Sequence, residues 1–136
     1  MNSLRFFIVF FSVLIVNPSC KAQLDKDKNR TTVASSAPVE VFYFHFTRRC
    51  ITCQTVEAQS KQSILELYGD KVSFNAYNLD EPDGETKGKE LGVSGQTLLI
   101  VSGDTKIDLT SEGFMYARSN PEKLREILKC KIDPLL

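Results

Sequence analysis

VEVFYFHFTRRCITC, residues 39–53, decides the fold. Residues 39–46 are almost entirely apolar, β-branched or aromatic, with no polar alternation. Such a run suits a central strand covered on both faces. Thr47, Arg48 and Arg49 then read as the turn at its C-terminal end. From Cys50 the period changes. Cys53, Val56, Ile64, Leu67 and Tyr68 fall close to one helical stripe, and Gly69 is a natural stop. A Cys-x-x-Cys pair therefore lies where a buried strand hands over to a helix.

Downstream, residues 71–79 alternate, with Val72, Phe74 and Ala76 on one side and Ser73 and Asn75 on the other, which predicts a strand. Residues 80–84 read as a loop and 85–91 as a short helix with almost no apolar face. Residues 97–101, TLLIV, predict a second buried strand. Ser102-Gly103-Asp104 is a tight turn, and residues 105–109 return as its hairpin partner. The last helix has the clearest start: Asn120 can cap, Pro121 suits the first helical position, and Glu122 sits at the positive end. Leu124, Ile127, Leu128 and Lys131 share one of its faces. The expected order is βαβαββα, an α/β domain over residues 39–136. A strand–helix–strand start implies parallel pairing, the hairpin extends the sheet antiparallel, and helices cover both faces of four strands. This is the minimal thioredoxin fold, whose active site follows the first strand and opens the first helix.

Upstream, Arg5 precedes an apolar run, 6–16, broken only by Ser12. Its length is that of a secretory signal and short for a membrane span, so residues 1–22 read as a signal peptide. Two exits are open. Cys20 is a candidate for lipidation as the first residue of a lipoprotein, or cleavage after Ala22 removes it. Either route exports the protein, to the periplasm or to a membrane tether, where disulfides persist. Residues 23–38, QLDKDKNRTTVASSAP, are polar and read as a flexible linker. The 136 residues carry 17 basic and 17 acidic side chains, so no basic field attracts nucleic acid. Trp is absent and His45 is the single histidine, which leaves little material for His-based catalysis.

The chemistry of the pair follows from its placement. A thiolate, not a thiol, attacks a disulfide. Cys50 at a helix start faces unpaired backbone N–H groups and the positive end of the dipole. Arg48 and Arg49 add positive charge beside it. Free cysteine has a pKa of about 8.5, and such settings bring it to roughly 3.5–7.5. Cys53, one turn on, is near enough to close the ring. The expectation is that Cys50 attacks and Cys53 resolves, with protein thiols or disulfides as partners and no cofactor beyond the Cys50–Cys53 disulfide. A plain structural disulfide and a zinc-binding pair are the alternatives. Zinc wants a full tetrahedral set, and His45 and Cys130 are the only other soft ligands, without spaced partners. His45 reads better as a core residue, and Cys130, on the polar edge of the last helix, as an incidental thiol able to form a mixed disulfide.

Four segments, YFHFTRRCITC (43–53), LGVSGQTLLIV (91–101), DLTSEGFMYA (108–117) and PEKLREILKCKID (121–133), resemble the family labelled "nitrophenyl compound nitroreductase subunit ArsF", whose members are thioredoxin-like. The resemblance implies a thioredoxin-like fold and a redox pair at Cys50 and Cys53. No glycine-rich phosphate turn accompanies the nitroreductase label, so such a chain would exchange electrons with a partner that holds the cofactor. Ile51 and Thr52 differ from the intervening pairs of well-known thioredoxin-like proteins. Phe44 stands six residues before Cys50, where thioredoxins carry a buried acid. Gly95 and Gln96 occupy the segment where thioredoxins place a cis-proline, and are expected to shape the docking surface for substrate. A cis bond to Gln96 would cost about 2.5–4 kcal/mol, so a trans bond is expected. Openness at that position is associated with metal capture, which keeps a redox-inactive accessory or metal-binding subunit as the alternative function.

Overall fold

The computed structural model describes residues 37–136. The signal peptide, the site of Cys20 and the linker up to residue 36 lie outside the described residues. Within them the elements run β1 (Val39–His45), α1 (Ile51–Tyr68), β2 (Val72–Asn78), α2 (Pro82–Leu91), β3 (Thr97–Ser102), β4 (Thr105–Asp108), α3 (Thr110–Tyr116) and α4 (Pro121–Ile132).

The four strands form one mixed sheet in the order β2-β1-β3-β4. β1 pairs parallel with β2 and antiparallel with β3, and β4 closes the hairpin on β3. This is the expected α/β architecture. It also explains the unbroken apolar run of β1, which has a strand on each side and helices above and below.

Alternate residues of β1 feed two separate cores. Val39, Val41 and Tyr43 face α1, α3 and α4, in a cluster with Val56, Ile64, Leu98, Ile100, Leu124, Leu128 and Ile132. Phe42 and Phe44 face the other way, with Leu99, Tyr77, Leu79, Leu91 and Val93. The second layer holds an aromatic stack, with ring centroids 6.2 Å apart for Phe42–Phe44 and 5.8 Å for Phe44–Tyr77.

Two elements depart from the expected string. α3 is an extra helix, so the observed order is βαβαββαα. Its Gly113 argues against a helix by propensity, at roughly 1 kcal/mol relative to Ala. Tertiary packing overrides that cost. A Cβ there would lie 3.1 Å from Val56 Cγ1 and 3.3 Å from Leu98 Cδ2, tighter than ordinary packing, so the glycine lets α3 lie close on the core. α2 begins at Pro82, inside the expected loop. Proline suits the first helical turn, and the buried Gly84 and Gly88 form the helix face that touches the sheet. That face carries no apolar stripe to be read. In α1 the inward stripe is likewise broken by the buried Ser60 and Ser63. In β2, Ala76 is exposed, as fits a strand at the edge of the sheet.

Candidate active site

The site is built at the junction of β1 and α1. The backbone leaves β1 at His45 and turns through residues 46–49. Polar contacts from the end of β2 pin that turn. Thr47 N–H donates to Asp80 Oδ2 at 2.7 Å, Asn78 Nδ2 donates to Thr47 Oγ1 at 2.9 Å, and Leu79 N–H donates to the His45 carbonyl at 2.7 Å. Cys50 then stands at the N-cap of α1 in an extended conformation, with no acidic residue in the first turn. The helix runs 18 residues, so its aligned dipoles present positive charge at that end.

The two sulfurs are reduced and 3.1 Å apart. Their environments differ. Cys50 is exposed and Cys53 is 3 % exposed. The Cys50 thiol is lowered to about 7, first by the hydrogen bond from Cys53 and then by backbone and side-chain donors of the first turn. The Cys53 thiol is raised, chiefly because burial disfavours its charged form and because Cys50 takes up its hydrogen bond. One sulfur is thus poised to ionise near neutrality while the other keeps its proton.

Around Cys53 the contacts are specific. Its Sγ donates to Gln96 Oε1 at 3.2 Å. Its backbone carbonyl accepts from the hydroxyl of Tyr43 at 2.9 Å. Tyr43 is fully buried on β1, and burial raises its phenol, which therefore stays a donor at any ordinary pH. A strand residue thereby ties the first turn of α1 to the sheet.

The expected site residues divide. Cys50, Cys53 and Gln96 come together. Gly95 contributes its carbonyl, which accepts from Thr97 Oγ1 at 3.0 Å. Peptide bonds throughout the described residues are trans, including that to Gln96. Arg49 forms an ion pair with Glu57, one to two turns along α1, and Arg48 is exposed. The groups that lower Cys50 most are its neighbours in the first turn. His45 turns its Nδ1 to the Phe46 carbonyl at 3.0 Å. Cys130 is half-buried on α4. Among the described residues no group of three or more His, Cys, Asp or Glu side chains is placed to hold a metal ion.

Sequence reasoning passed over three contributors. Tyr43 looked like one more apolar residue of β1. Its hydroxyl was the available signal, because a buried tyrosine needs a partner. Asp80 sat in an expected loop, and its reach to Thr47 spans 33 positions. Arg118, whose Nη1 donates to Thr52 Oγ1 at 3.5 Å, follows α3, a helix the sequence did not announce.

No family model matches the chain, and no curated protein does. Solved structures do. Thioredoxin O2 from Arabidopsis thaliana, in its oxidised state, is 19 % identical, with a TM-score of 0.51 over 69 % of this chain and 75 % of that one. A structure described only as a malarial protein is also 19 % identical, with a TM-score of 0.42 over 58 % of this chain and 91 % of its own, and carries no argument. What the likeness establishes is the architecture: the chain has a thioredoxin-like α/β fold, with its Cys-x-x-Cys pair at the junction of first strand and first helix.

Proposed function

We propose that the chain is a thiol–disulfide oxidoreductase that exchanges electrons with protein thiols or disulfides. One observation carries this reading: two reduced sulfurs lie 3.1 Å apart, one exposed with a lowered pKa and the other buried with a raised one. A structural disulfide gains nothing from such asymmetry. A nucleophile and a resolving thiol need it, because attack goes through the exposed thiolate.

The sequence of steps balances without a further reagent. Cys50 thiolate attacks a substrate disulfide. An S–S bond forms between Cys50 and one substrate sulfur, the original S–S bond breaks, and the released thiolate takes a proton. Cys53 then loses its proton and attacks Cys50 Sγ, closing the ring and releasing the second substrate thiolate, which is protonated in turn. Two electrons pass from the dithiol to the substrate, and the reverse order oxidises a substrate dithiol. On this reading the Cys50–Cys53 pair is itself the redox group and no other cofactor is required.

Export belongs to the same proposal. It rests on the charged residue and apolar run at 5–16, with Cys20 as the lipid-bearing residue or as part of a cleaved leader. The four motif segments support placing the protein with the ArsF-type nitroreductase subunits as a carrier of electrons. The test uses single serine variants. Cys53→Ser should accumulate a stable mixed disulfide with a protein or peptide disulfide, and Cys50→Ser should form none and turn over nothing. Turnover of a dithiol substrate by both variants would sink the mechanism.

A further inference from the structure

The resolving step has an unmet requirement. Cys53 must shed a proton and carry negative charge in a place that is 3 % exposed. Burying an unpaired charge is costly, so the thiolate needs a donor at hand. The hydrogen-bond partners of its sulfur are Cys50 and Gln96, with no carboxylate among them. The group in contact is the carboxamide of Gln96, with Oε1 3.2 Å from Cys53 Sγ. Gln96 is half-buried and directly precedes β3, so its backbone is held by the sheet.

A carboxamide presents an acceptor at one end and a donor at the other, and a half-turn about its last bond exchanges them. Cys53 has one proton and two acceptors within reach, the Cys50 sulfur at 3.1 Å and Gln96 Oε1 at 3.2 Å. While the thiol donates to Oε1, its lone pairs are directed away from the amide and towards Cys50. Once the proton has left, Oε1 would face a like partial charge, and rotation brings Nε2–H to the sulfur instead.

We propose that Gln96 is a catalytic residue of the resolving step, accepting from the Cys53 thiol through Oε1 and donating Nε2–H to the Cys53 thiolate as it attacks Cys50. The amide takes up no proton itself. The Cys53 proton leaves to the outgoing substrate thiolate or to water, the Cys50–Cys53 bond forms, and the bond between Cys50 and the substrate sulfur breaks. This role rests on the redox reading given above, and it assigns Gln96 to the chemistry rather than to substrate docking alone.

The chromogenic aryl disulfide DTNB separates the two steps. Attack by Cys50 releases one aryl thiolate, and closure by Cys53 releases the second. In reduced wild-type protein followed by stopped flow, two releases are expected. Gln96→Leu leaves an apolar side chain without donor or acceptor, and the second release should slow roughly 10- to 100-fold, the range for losing a hydrogen bond to an ionised group. The effect should fall on the second release more than on the first, and the pH midpoint of the second should move upward. Gln96→Glu keeps an acceptor but loses the donor, so it should be slow as well and shift the midpoint further. An unmoved midpoint in Gln96→Leu, or a wild-type second release in Gln96→Glu, overturns the role of Gln96 and leaves the redox reading standing. A wild-type protein that never gives a second release overturns both.

Discussion

The two faces of the sheet are built differently, and the two cysteines at the start of α1 are held by different kinds of contact. The face under α1, α3 and α4 is a deep aliphatic core, in which Leu98, Ile100, Leu124, Leu128 and Ile132 are fully buried. Cys53 belongs to that side, tied through its carbonyl to Tyr43. The face under α2 is thin and aromatic. Its helix contributes a glycine surface, and Lys87 lies over the Phe42 ring with Nζ 5.4 Å from the centroid. The turn leading to Cys50 is pinned from the same end of the molecule, through Asn78, Leu79 and Asp80. A resolving thiol must stay in place and keep its proton, and packing provides that. A nucleophile must be exposed yet aimed, and a short network of polar contacts on an accessible turn does so.

If this division is right, the two faces fail in different ways. The largest loss should come from the aliphatic side. Leu128→Ala removes a fully buried side chain that α4 contributes to the aliphatic core. It should cost about 2–5 kcal/mol in chemical denaturation, from lost transfer energy and the cavity left behind. Both thiols should lose their distinct reactivities together with the fold.

The thin face should fail locally. Alanine is ordinarily the better helix residue, by roughly 0.5–1 kcal/mol. At Gly84, however, an added Cβ would stand 1.9 Å from the Asn78 carbonyl oxygen. Backbone cannot yield as a flexible side chain does, so α2 has to shift, and overpacking of this kind costs about 1–3 kcal/mol. Gly84→Ala should therefore destabilise despite its propensity. It should also raise the exchange rate of amides in α2 and in the turn at 46–49 while leaving α4 protected. Uniform loss of protection across both faces would contradict the division.

How much of this was legible beforehand follows the same line. The β1 run, the change of period at Cys50 and the Asn120-Pro121-Glu122 start are local signals, and they located β1, α1, α4 and the sulfur pair. Asn120 does cap α4, its side chain accepting from Lys123 N–H at 3.1 Å. α3 and the start of α2 were hidden because their sheet-facing positions are glycines, chosen for close approach rather than for apolar surface. The candidate site was legible in its sulfurs and in Gln96, which a proline-free segment beside the expected disulfide had already singled out. It was not legible in Tyr43, Asp80 or Arg118, since each acts across a distance in sequence that no spacing rule covers.

A smaller effect should follow from loosening Cys53. Tyr43→Phe removes the hydroxyl that donates to the Cys53 carbonyl, and with it the net value of a neutral hydrogen bond, about 0.5–1.5 kcal/mol in thermal or chemical unfolding. The ring remains to fill the core. Faster closure by a Cys53 freed in this way is not expected, because the tie also keeps its sulfur within reach of Cys50. The aryl-thiolate assay should show a slower second release and a first release close to wild type.

The smallest change in stability, and the sharpest test of the turn, is at Asp80. Its carboxylate accepts from Thr47 N–H on an exposed surface, so Asp80→Ala should alter stability by no more than about 1 kcal/mol. Its effect on Cys50 should be easier to see. The Cys50 thiol lies at about 7 because donors of the first turn and Cys53 face its sulfur, and the turn keeps it there. With the pin removed, those donors are met less often, and the midpoint of iodoacetamide alkylation should rise towards the free-cysteine value of about 8.5. Near pH 7 the thiolate fraction then falls and alkylation slows. Any influence of the Asp80 charge itself would act in the opposite direction, since an anion disfavours a thiolate. Asp80→Asn isolates that contribution, because it keeps an oxygen for Thr47 and drops the charge. An alkylation midpoint that rises in Asp80→Ala and stays or falls in Asp80→Asn assigns the aim of Cys50 to the turn. Equal midpoints in the two variants would mean that α1 alone holds the nucleophile, and that the thin face has no part in the site.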